Sequence, residues 1–294
     1  MSDIKVYGTF RNATTSNRVA YAEQVFDEEL GKTQAQINQE GSNSNKFRFA
    51  HWNVGHFTYY DGIQGDDTPD IPAADSAAMA IRYKKAINEI NADVLGVCED
   101  DPVFDADETA SLPLLYEPRY VICEQGTKYN YMCASLYTNL PLKDVQVTQI
   151  YYPLTVQSNR YYKLMVGVLN GYVVKFVETH LDFNQGEHGA EYRAAQIQKL
   201  ISDFANDSHV VIAGDFNTIP TSDWDAFTNA GYEMANHGYL GDLLTHENHQ
   251  THEKYALDNI IAKGFRISDI KVIESTFDLS DHAAIACDLT MINP

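Results

Sequence analysis

Two polar residues at the end of an apolar segment are the first in this chain that could do chemistry. Residues 210–213 are apolar without interruption and predict a strand buried on both faces. Asp215 and Asn217 follow it two residues apart, so their side chains leave the backbone on the same side. A carboxylate there could take a proton or hold water, and an amide could donate to an anionic oxygen. Taken alone, the segment fits a simple turn equally well, because Gly, Asp and Asn are common turn residues.

Five further motifs favour the chemical interpretation. With the first, the six motifs in chain order are Trp52-Asn53-Val54, Asp93-Val94-Leu95-Gly96-Val97-Cys98-Glu99, Glu178-Thr179-His180-Leu181-Asp182, Gly214-Asp215-Phe216-Asn217, Leu257-Asp258-Asn259-Ile260-Ile261 and Leu279-Ser280-Asp281-His282. In this order they resemble the motifs of the endonuclease/exonuclease/phosphatase superfamily, the DNase I-like hydrolases, and the resemblance runs from about Phe47 to Leu289.

The resemblance implies a metal site and a site for the attacking water. Glu99 corresponds to the metal-binding glutamate of the family, and Asp281 to a second acidic residue near the metal. Asn53 and Asn217 correspond to the asparagines that hold the phosphate or the water, and Asp215 to the residue that aims or deprotonates that water. Oxygen ligands of this kind suit Mg²⁺, with Mn²⁺ or Ca²⁺ as other options.

The resemblance also implies roles for two histidines. His282 corresponds to a histidine that contacts the scissile phosphate or acts as a general base, and Asp258 to the carboxylate that orients it. His180 corresponds to a further phosphate donor. An aspartate behind a histidine holds it in one tautomer and raises its pKa. Together these residues supply the metal ligands, the general base and the hydrogen-bond donors that phosphodiester hydrolysis requires.

The sequence departs from the patterns of two branches of the family. Members that cut at abasic sites carry an acidic residue at the position of Gly55, and many members carry a glutamine at the position of Cys98. The inositol-phosphatase branch usually has a tryptophan where Ala213 stands. The glycine at position 55 weakens the hypothesis of an abasic endonuclease, and the alanine at position 213 weakens the hypothesis of an inositol phosphatase.

Composition limits the class of substrate. The 294 residues include 41 acidic and 21 basic ones, for a net charge of −20. Such a charge disfavours a broad electrostatic grip on nucleic acid, although a bound divalent cation would reverse the local potential. A phosphodiester substrate, with nucleic acid favoured, is therefore the leading hypothesis. A phospholipid or sugar-phosphate esterase is the alternative within enzymes.

The elements that position these residues are strands in hairpins, interrupted by helices. Helices are predicted at about residues 73–91, 189–204 and 223–229, and Asn170-Gly171 predicts a tight hairpin. This pattern predicts an α+β fold, and the resemblance implies a four-layer α/β/β/α sandwich of two mainly antiparallel sheets. Strands are predicted at residues 47–53, 94–98, 120–124, 132–137, 145–151, 161–169, 172–179, 210–215, 257–262, 267–274 and 283–290.

Residues 1–45 differ in character from the catalytic domain predicted for residues 46–294. Residues 19–38 have a narrow apolar stripe at approximately helical spacing, and residues 41–45 are typical of a linker. A thin stripe buries little surface, so this attachment segment is expected to pack on a protein partner or a second copy. It resembles N-terminal segments of phage tail-associated proteins, and a virion-associated structural protein is therefore the third hypothesis. A frayed extension without a role is the simpler reading.

Other features point away from further cofactors and from membranes. His246, His249 and His252 either form a transition-metal site or lie in a polar loop near the site mouth. The four cysteines show no CxxC spacing and are expected to be buried free thiols. No signal peptide or membrane-spanning segment is recognisable, so a soluble protein, cytoplasmic or virion-associated, is expected.

Overall fold

Two sheets dominate the computed structural model. It describes residues 45–55, 82–83, 85–99, 122–124, 134–155, 160–183, 188–218, 221–236, 243–248 and 251–292. Within these residues the strands are β1 (Lys46–Asn53), β2 (Val94–Cys98), β3 (Ile122–Glu124), β4 (Ala134–Thr138), β5 (Lys143–Tyr151), β6 (Tyr161–Leu169), β7 (Tyr172–His180), β8 (Val210–Asp215), β9 (Glu233–Met234), β10 (His246–Glu247), β11 (Lys254–Tyr255), β12 (Asp258–Lys263), β13 (Phe265–Ile273) and β14 (Ala284–Met291). The helices with complete bounds are α1 (Gly189–Asp203), α2 (Thr221–Asn229) and a 3₁₀ helix (Glu274–Asp278).

The two sheets share one plan. The first has the order β13-β14-β1-β2-β4-β3 and the second the order β5-β6-β7-β8-β12-β9. Each contains one central parallel pair, β1 with β2 and β7 with β8, and its other neighbouring strands are antiparallel. A small ribbon of β10 and β11 stands apart from both sheets.

Three apolar cores separate four layers. The middle core lies between the sheets and includes Phe49, Phe176 and Ile285. On the outer face of the first sheet, the helical residues 85–90 pack through Ile87. On the outer face of the second sheet, α1 packs through Leu200. The structure thus confirms the predicted α/β/β/α sandwich.

Local signals explain most of the predicted elements. The Asn170-Gly171 turn joins β6 to β7, and both of its residues have positive φ (52° and 89°), as a tight hairpin turn requires. Every residue of β8 is buried, as the uninterrupted apolar run predicts. The helix predicted at about residues 73–91 is observed at residues 82–83 and 85–90, and its start lies outside the described residues.

Several predictions fall wholly or partly outside the described residues. The attachment segment at residues 1–45, including the stripe at 19–38, is described only at residue 45 and remains a prediction. Of the four cysteines, Cys98 and Cys287 are buried free thiols, as expected, and the side chains of the other two are not described. None of the described helices is long and apolar enough to cross a membrane.

Gly96 in β2 gives a test of the packing between the sheets. A Cβ atom at this position would overlap the carboxylate of Glu178, which is fully buried and has no route to solvent. We therefore expect Gly96→Ala to lower the free energy of unfolding by about 1–3 kcal/mol, the usual cost of overpacking a core. Urea unfolding measures the change, and an unaltered midpoint and slope would contradict the described packing.

Candidate active site

The polar residues of the site lie at one end of both central parallel pairs. β1 ends at Asn53 and β7 at His180, while β8 ends at Asp215. Glu99 directly follows β2. The carboxyl ends of parallel neighbours meet at the same edge of a sheet, so each sheet brings two of these side chains to that edge. His180 is paired with Asp215 in the β7–β8 register.

Two antiparallel strands begin at this same edge. β12 runs antiparallel to β8, with Asp258 opposite Asp215, and β14 runs antiparallel to β1. His282 lies just before β14, and its backbone carbonyl accepts a hydrogen bond from the indole of Trp52 at 3.0 Å. Residues far apart in sequence therefore converge where the sheets open.

Asp215 is the centre of the site and is 2% exposed. Its Oδ2 accepts a hydrogen bond from Asn53 Nδ2 at 3.2 Å. The same oxygen lies 3.5 Å from Nε2 of His180 and 3.6 Å from Nε2 of His282. Its Oδ1 accepts from the backbone N–H of Asn217 at 2.9 Å. Burial raises the pKa of Asp215 to about 7, although the neighbouring His282 pulls it down.

Glu99 lies beside this centre and is partly open to solvent. Its Oε1 accepts from Asn53 Nδ2 at 3.2 Å and lies 3.8 Å from Nδ1 of His180. The backbone at Glu99 and at Asn217 has positive φ (53° and 49°). This conformation is uncommon outside glycine and costs on the order of 1 kcal/mol. Its presence at two site residues is typical of strained functional loops.

Asp258 and His282 form a buried pair. Asp258 Oδ2 lies 2.7 Å from Nδ1 of His282, so the ring keeps a proton on Nδ1 and directs Nε2 toward Asp215. Burial by itself lowers the pKa of His282, but Asp258 and Asp215 outweigh it and raise the pKa well above its ordinary value. Burial by itself raises the pKa of Asp258, but His282 and His51 outweigh it and lower the pKa.

A buried brace holds the segment that follows His180. Arg160 donates from Nη1 to the backbone carbonyls of His180 and Leu181 at 3.1 and 2.6 Å. Its Nε lies 3.0 Å from Oδ1 of Asp182, and Gln196 on α1 donates to Oδ2 of Asp182 at 2.7 Å. These contacts hold residues 181 and 182 in place directly after β7, at the site edge.

Asp281 lies at the rim of the site rather than in its buried centre. Its Oδ2 lies 3.8 Å from Nε2 of His246, and the ring of His246 packs against that of His282 at 4.7 Å between centroids. Asp281 and His246 each keep 18% of their side-chain surface exposed. Ligand atoms of His246, Asp281 and His282 all lie within 4.8 Å of one another.

Of the three histidines at residues 246, 249 and 252, the structure places His246 and His252 in different surroundings. His246 in β10 reaches the site through a bridge to His282. The side chain of His252 is 76% exposed and lies 3.1 Å from Oε1 of Glu247, while His249 lies outside the described residues. A loop near the site mouth was one of the two predicted alternatives, but the contact of His246 with His282 was not predicted, because it depends on the bridge between β10 and the residues just before β14.

The donor set fits a hard divalent cation. Glu99 offers a partly exposed carboxylate, and Asp281 offers another at the rim. Carboxylate oxygens with room for water molecules suit Mg²⁺. The structure therefore brings Asn53, Glu99, His180, Asp215, Asp258 and His282 into one connected cluster, with Asn217 adjoining Asp215 and Asp281 adjoining His246.

For two buried residues of this region, the sequence analysis predicted no role. His51 and Glu178 stand two residues before Asn53 and His180 on the same strands, and both are fully buried. Their positions in alternating strands place each on the same face as its functional neighbour. That spacing was the available signal, but it does not show that the two side chains meet across the sheets.

Comparisons with known proteins show the family and the fold. A family model described as "Endonuclease/Exonuclease/phosphatase family" matches residues 50–282. No relative is found among curated proteins.

Similar solved structures share the fold at low sequence identity. TDP2 of D. rerio complexed with single strand DNA product has a TM-score of 0.61 and 17% identity, with 83% of this chain and 98% of that chain covered. The human Nocturnin catalytic domain with bound sulfate anion has a TM-score of 0.61 and 18% identity over 85% and 96% of the two chains. An endonuclease/exonuclease/phosphatase from Beutenbergia cavernae has a TM-score of 0.60 and 15% identity over 84% and 72%.

Proposed function

The chain belongs to the endonuclease/exonuclease/phosphatase family and is a metal-dependent phosphoesterase, and we propose that it hydrolyses phosphodiester bonds of nucleic acid with Mg²⁺ as the cofactor. The observation that carries the proposal is the continuous set of contacts from Glu99 through Asn53 and Asp215 to His282. A metal ligand, a buried carboxylate and an imidazole in mutual contact are the parts that such a hydrolysis requires.

The environments of Asp215 and His282 suggest distinct roles. The pKa of Asp215, raised by burial to about 7, suits a group that takes a proton from the attacking water. The pKa of His282 is raised above its ordinary value by Asp258 and Asp215, which outweigh the effect of burial, so its ring is a cation that can donate to a phosphoryl oxygen. Neighbouring titratable groups whose environments shift their pKa values differently can in this way act as the base and the proton donor of one reaction.

The remaining polar groups orient the reactants in this proposal. Asn53 donates to both Glu99 and Asp215 and so fixes their relative position. His180 lies beside Asp215 and offers a further N–H donor to phosphate or water. The side-chain amide of Asn217 donates one N–H to the carbonyl of Leu181 at 3.1 Å, and its second N–H can serve the same purpose. Glu99 and Asp281 are the carboxylates that would hold a bound Mg²⁺, which would neutralise charge on the phosphate.

Metal removal tests the proposed cofactor. We expect EDTA to lower the hydrolysis of a single-stranded oligonucleotide at least ~100-fold, because a bound cation supplies several kcal/mol of charge stabilisation. Added Mg²⁺ or Mn²⁺ should restore the rate. We expect Glu99→Gln to raise the Mg²⁺ concentration for half-maximal rate, and Glu191→Gln, at a carboxylate whose side chain is 69% exposed, to leave it unchanged. Full activity after chelation would contradict the proposal.

The substrate class can be tested by salt dependence. The solved structure of D. rerio TDP2 contains a single strand DNA product, which favours nucleic acid, whereas the net charge of −20 favours small phosphoesters. Counterion release makes the affinity of a nuclease for nucleic acid fall steeply with added salt. A phospholipid or sugar-phosphate substrate cleaved faster than oligonucleotides, with a shallow salt dependence, would favour the alternative enzyme.

Residues 1–45 are proposed as an attachment segment, and their deletion tests this. We expect a chain beginning at residue 46 to keep its hydrolytic rate, because every described site residue lies in 53–282. Self-association or binding to a structural partner, a virion component included, should be lost, as measured by light scattering and by co-sedimentation. Unchanged assembly after the deletion would contradict an attachment role.

A further inference from the structure

A row of buried polar groups extends from the active site into the layer between the sheets. His51 Nε2 lies 2.9 Å from Asp258 Oδ1, and His51 Nδ1 lies 2.7 Å from Glu178 Oε1. Asp258 Oδ2 continues the row to His282 Nδ1 at 2.7 Å. His51, Glu178 and Asp258 are all 0% exposed. The hydrogen-bonded row therefore runs from Glu178 through His51 and Asp258 to His282.

The hydrogen bonds of His51 determine its protonation. A neutral imidazole carries one N–H and can donate to only one acceptor, yet both nitrogens of His51 face carboxylate oxygens. Burial by itself lowers the pKa of His51, but Glu178 and Asp258 outweigh it and raise the pKa to about 10. His51 is therefore an imidazolium that donates to both carboxylates, and it is the buried counter-charge of the row.

Asp258 consequently has both oxygens engaged by histidines. Oδ1 accepts from His51 and Oδ2 from His282, so the carboxylate cannot rotate without breaking a hydrogen bond. A carboxylate that stayed free on one side, close to a second buried carboxylate, would tend to bind a proton. If Asp258 were protonated, it would donate to Nδ1 of His282, and that ring would be neutral with its one proton on Nε2.

We propose that His51, held by Glu178, is a positioning residue that keeps Asp258 ionised and oriented, so that His282 presents Nε2 to the reacting phosphate. The inference rests on the proposed function for its effect on the rate, whereas the arrangement of protons can be measured without any substrate. His51 lies in the layer between the sheets behind Asp258 and exerts its effect through that carboxylate and His282.

Variants separate this positioning role from a packing role. His51→Gln removes the cation between Glu178 and Asp258, so Glu178 loses its charged partner and Asp258 keeps only His282. We expect kcat to fall about 10- to 100-fold, the usual effect of losing an outer partner of an active-site group, with little change in KM. Adding Glu178→Gln to this variant removes the extra buried charge and should recover part of kcat.

A matched histidine provides the control. His209 is also buried, and its Nε2 lies 3.0 Å from the carbonyl of Ile292. His209 stands directly before the first residue of β8, whereas Asp215 is its last residue, so the two lie at opposite ends of that strand. His209→Gln should lower the melting temperature, as the loss of a buried hydrogen bond does, while kcat stays within about threefold of wild type.

Nitrogen-15 NMR of the histidine rings completes the test. In the wild-type protein at neutral pH, we expect both ring nitrogens of His51 and both ring nitrogens of His282 to carry protons. In His51→Gln, His282 should lose its Nδ1 proton and shift toward the neutral form with a proton on Nε2, and Glu178→Gln in the same chain should reverse part of that shift.

Several outcomes would overturn the inference. An unprotonated nitrogen on His51 in the wild-type protein would do so even if His51→Gln failed to fold. A kcat of His51→Gln within threefold of wild type, or equal effects on kcat from His51→Gln and His209→Gln, would also do so. A wild-type protein inactive on every phosphodiester would contradict the proposed function alone, because the NMR result would still decide the arrangement of the row.

Discussion

Replacing Asp215 by asparagine is expected to lower kcat for phosphodiester hydrolysis at least ~100-fold, as the loss of a general base does. The amide keeps the shape of the side chain but cannot take a proton. It also places N–H donors where His180 and His282 now face a carboxylate oxygen at 3.5 and 3.6 Å. Single-turnover kinetics with saturating Mg²⁺ would measure the chemical step without product release.

The control for this variant is a carboxylate of the same type on the surface. Asp225 on α2 is exposed, and Asp225→Asn should leave kcat unchanged while altering the net charge by the same amount. Calorimetry of both variants would show whether Asp215→Asn folds normally. Wild-type turnover in a folded Asp215→Asn protein would remove Asp215 from the chemistry.

Replacing His282 by alanine is expected to have an effect of similar size, at least ~100-fold on kcat. The variant removes the donor that faces the phosphate, and the loss of one such donor typically costs 10²–10³-fold in kcat. It also leaves Asp258 with His51 as the histidine on its buried side. Substrate affinity should weaken far less than turnover, because the donor acts mainly on charge that develops in the transition state.

His188 is the matched control for this second variant. Its side chain is 59% exposed and lies beside Glu191 at the start of α1, so His188→Ala should keep the wild-type rate. If His282→Ala hydrolysed substrate as fast as His188→Ala, the Asp258–His282 pair would have no part in the reaction.

Many of the elements could be predicted from local patterns. The apolar run 210–213 predicts β8, and the Asn170-Gly171 turn predicts the β6–β7 hairpin, because each signal lies within a few residues. Asp215 could be predicted as a candidate site residue from its place at the end of an apolar strand, whereas Asn53 and most other site residues were assigned through the resemblance to the family. The ordered set of motifs then supplied the four-layer architecture, which periodicity alone does not determine.

The rest depended on contacts between distant strands. His51 stands on the same face of β1 as Asn53, but its partners Glu178 and Asp258 belong to the other sheet. No local pattern tells which polar side chain will lie across the space between two sheets. The same holds for His246, because its contact with His282 depends on a backbone bridge between residues that are 36 positions apart in sequence.

The pairing of β14 with β1 bears on when activity can appear during synthesis. Thr290 lies opposite Lys46 in the first sheet, so strands from nearly opposite ends of the catalytic domain must meet. Contacts this distant in sequence are slow to form, because loop-closure entropy is lost before they are gained. His282 enters the pocket only with this last strand, so a nascent chain still short of residue 291 has no assembled hydrolytic centre. The hydrolytic centre is therefore complete only once β14 has docked on β1.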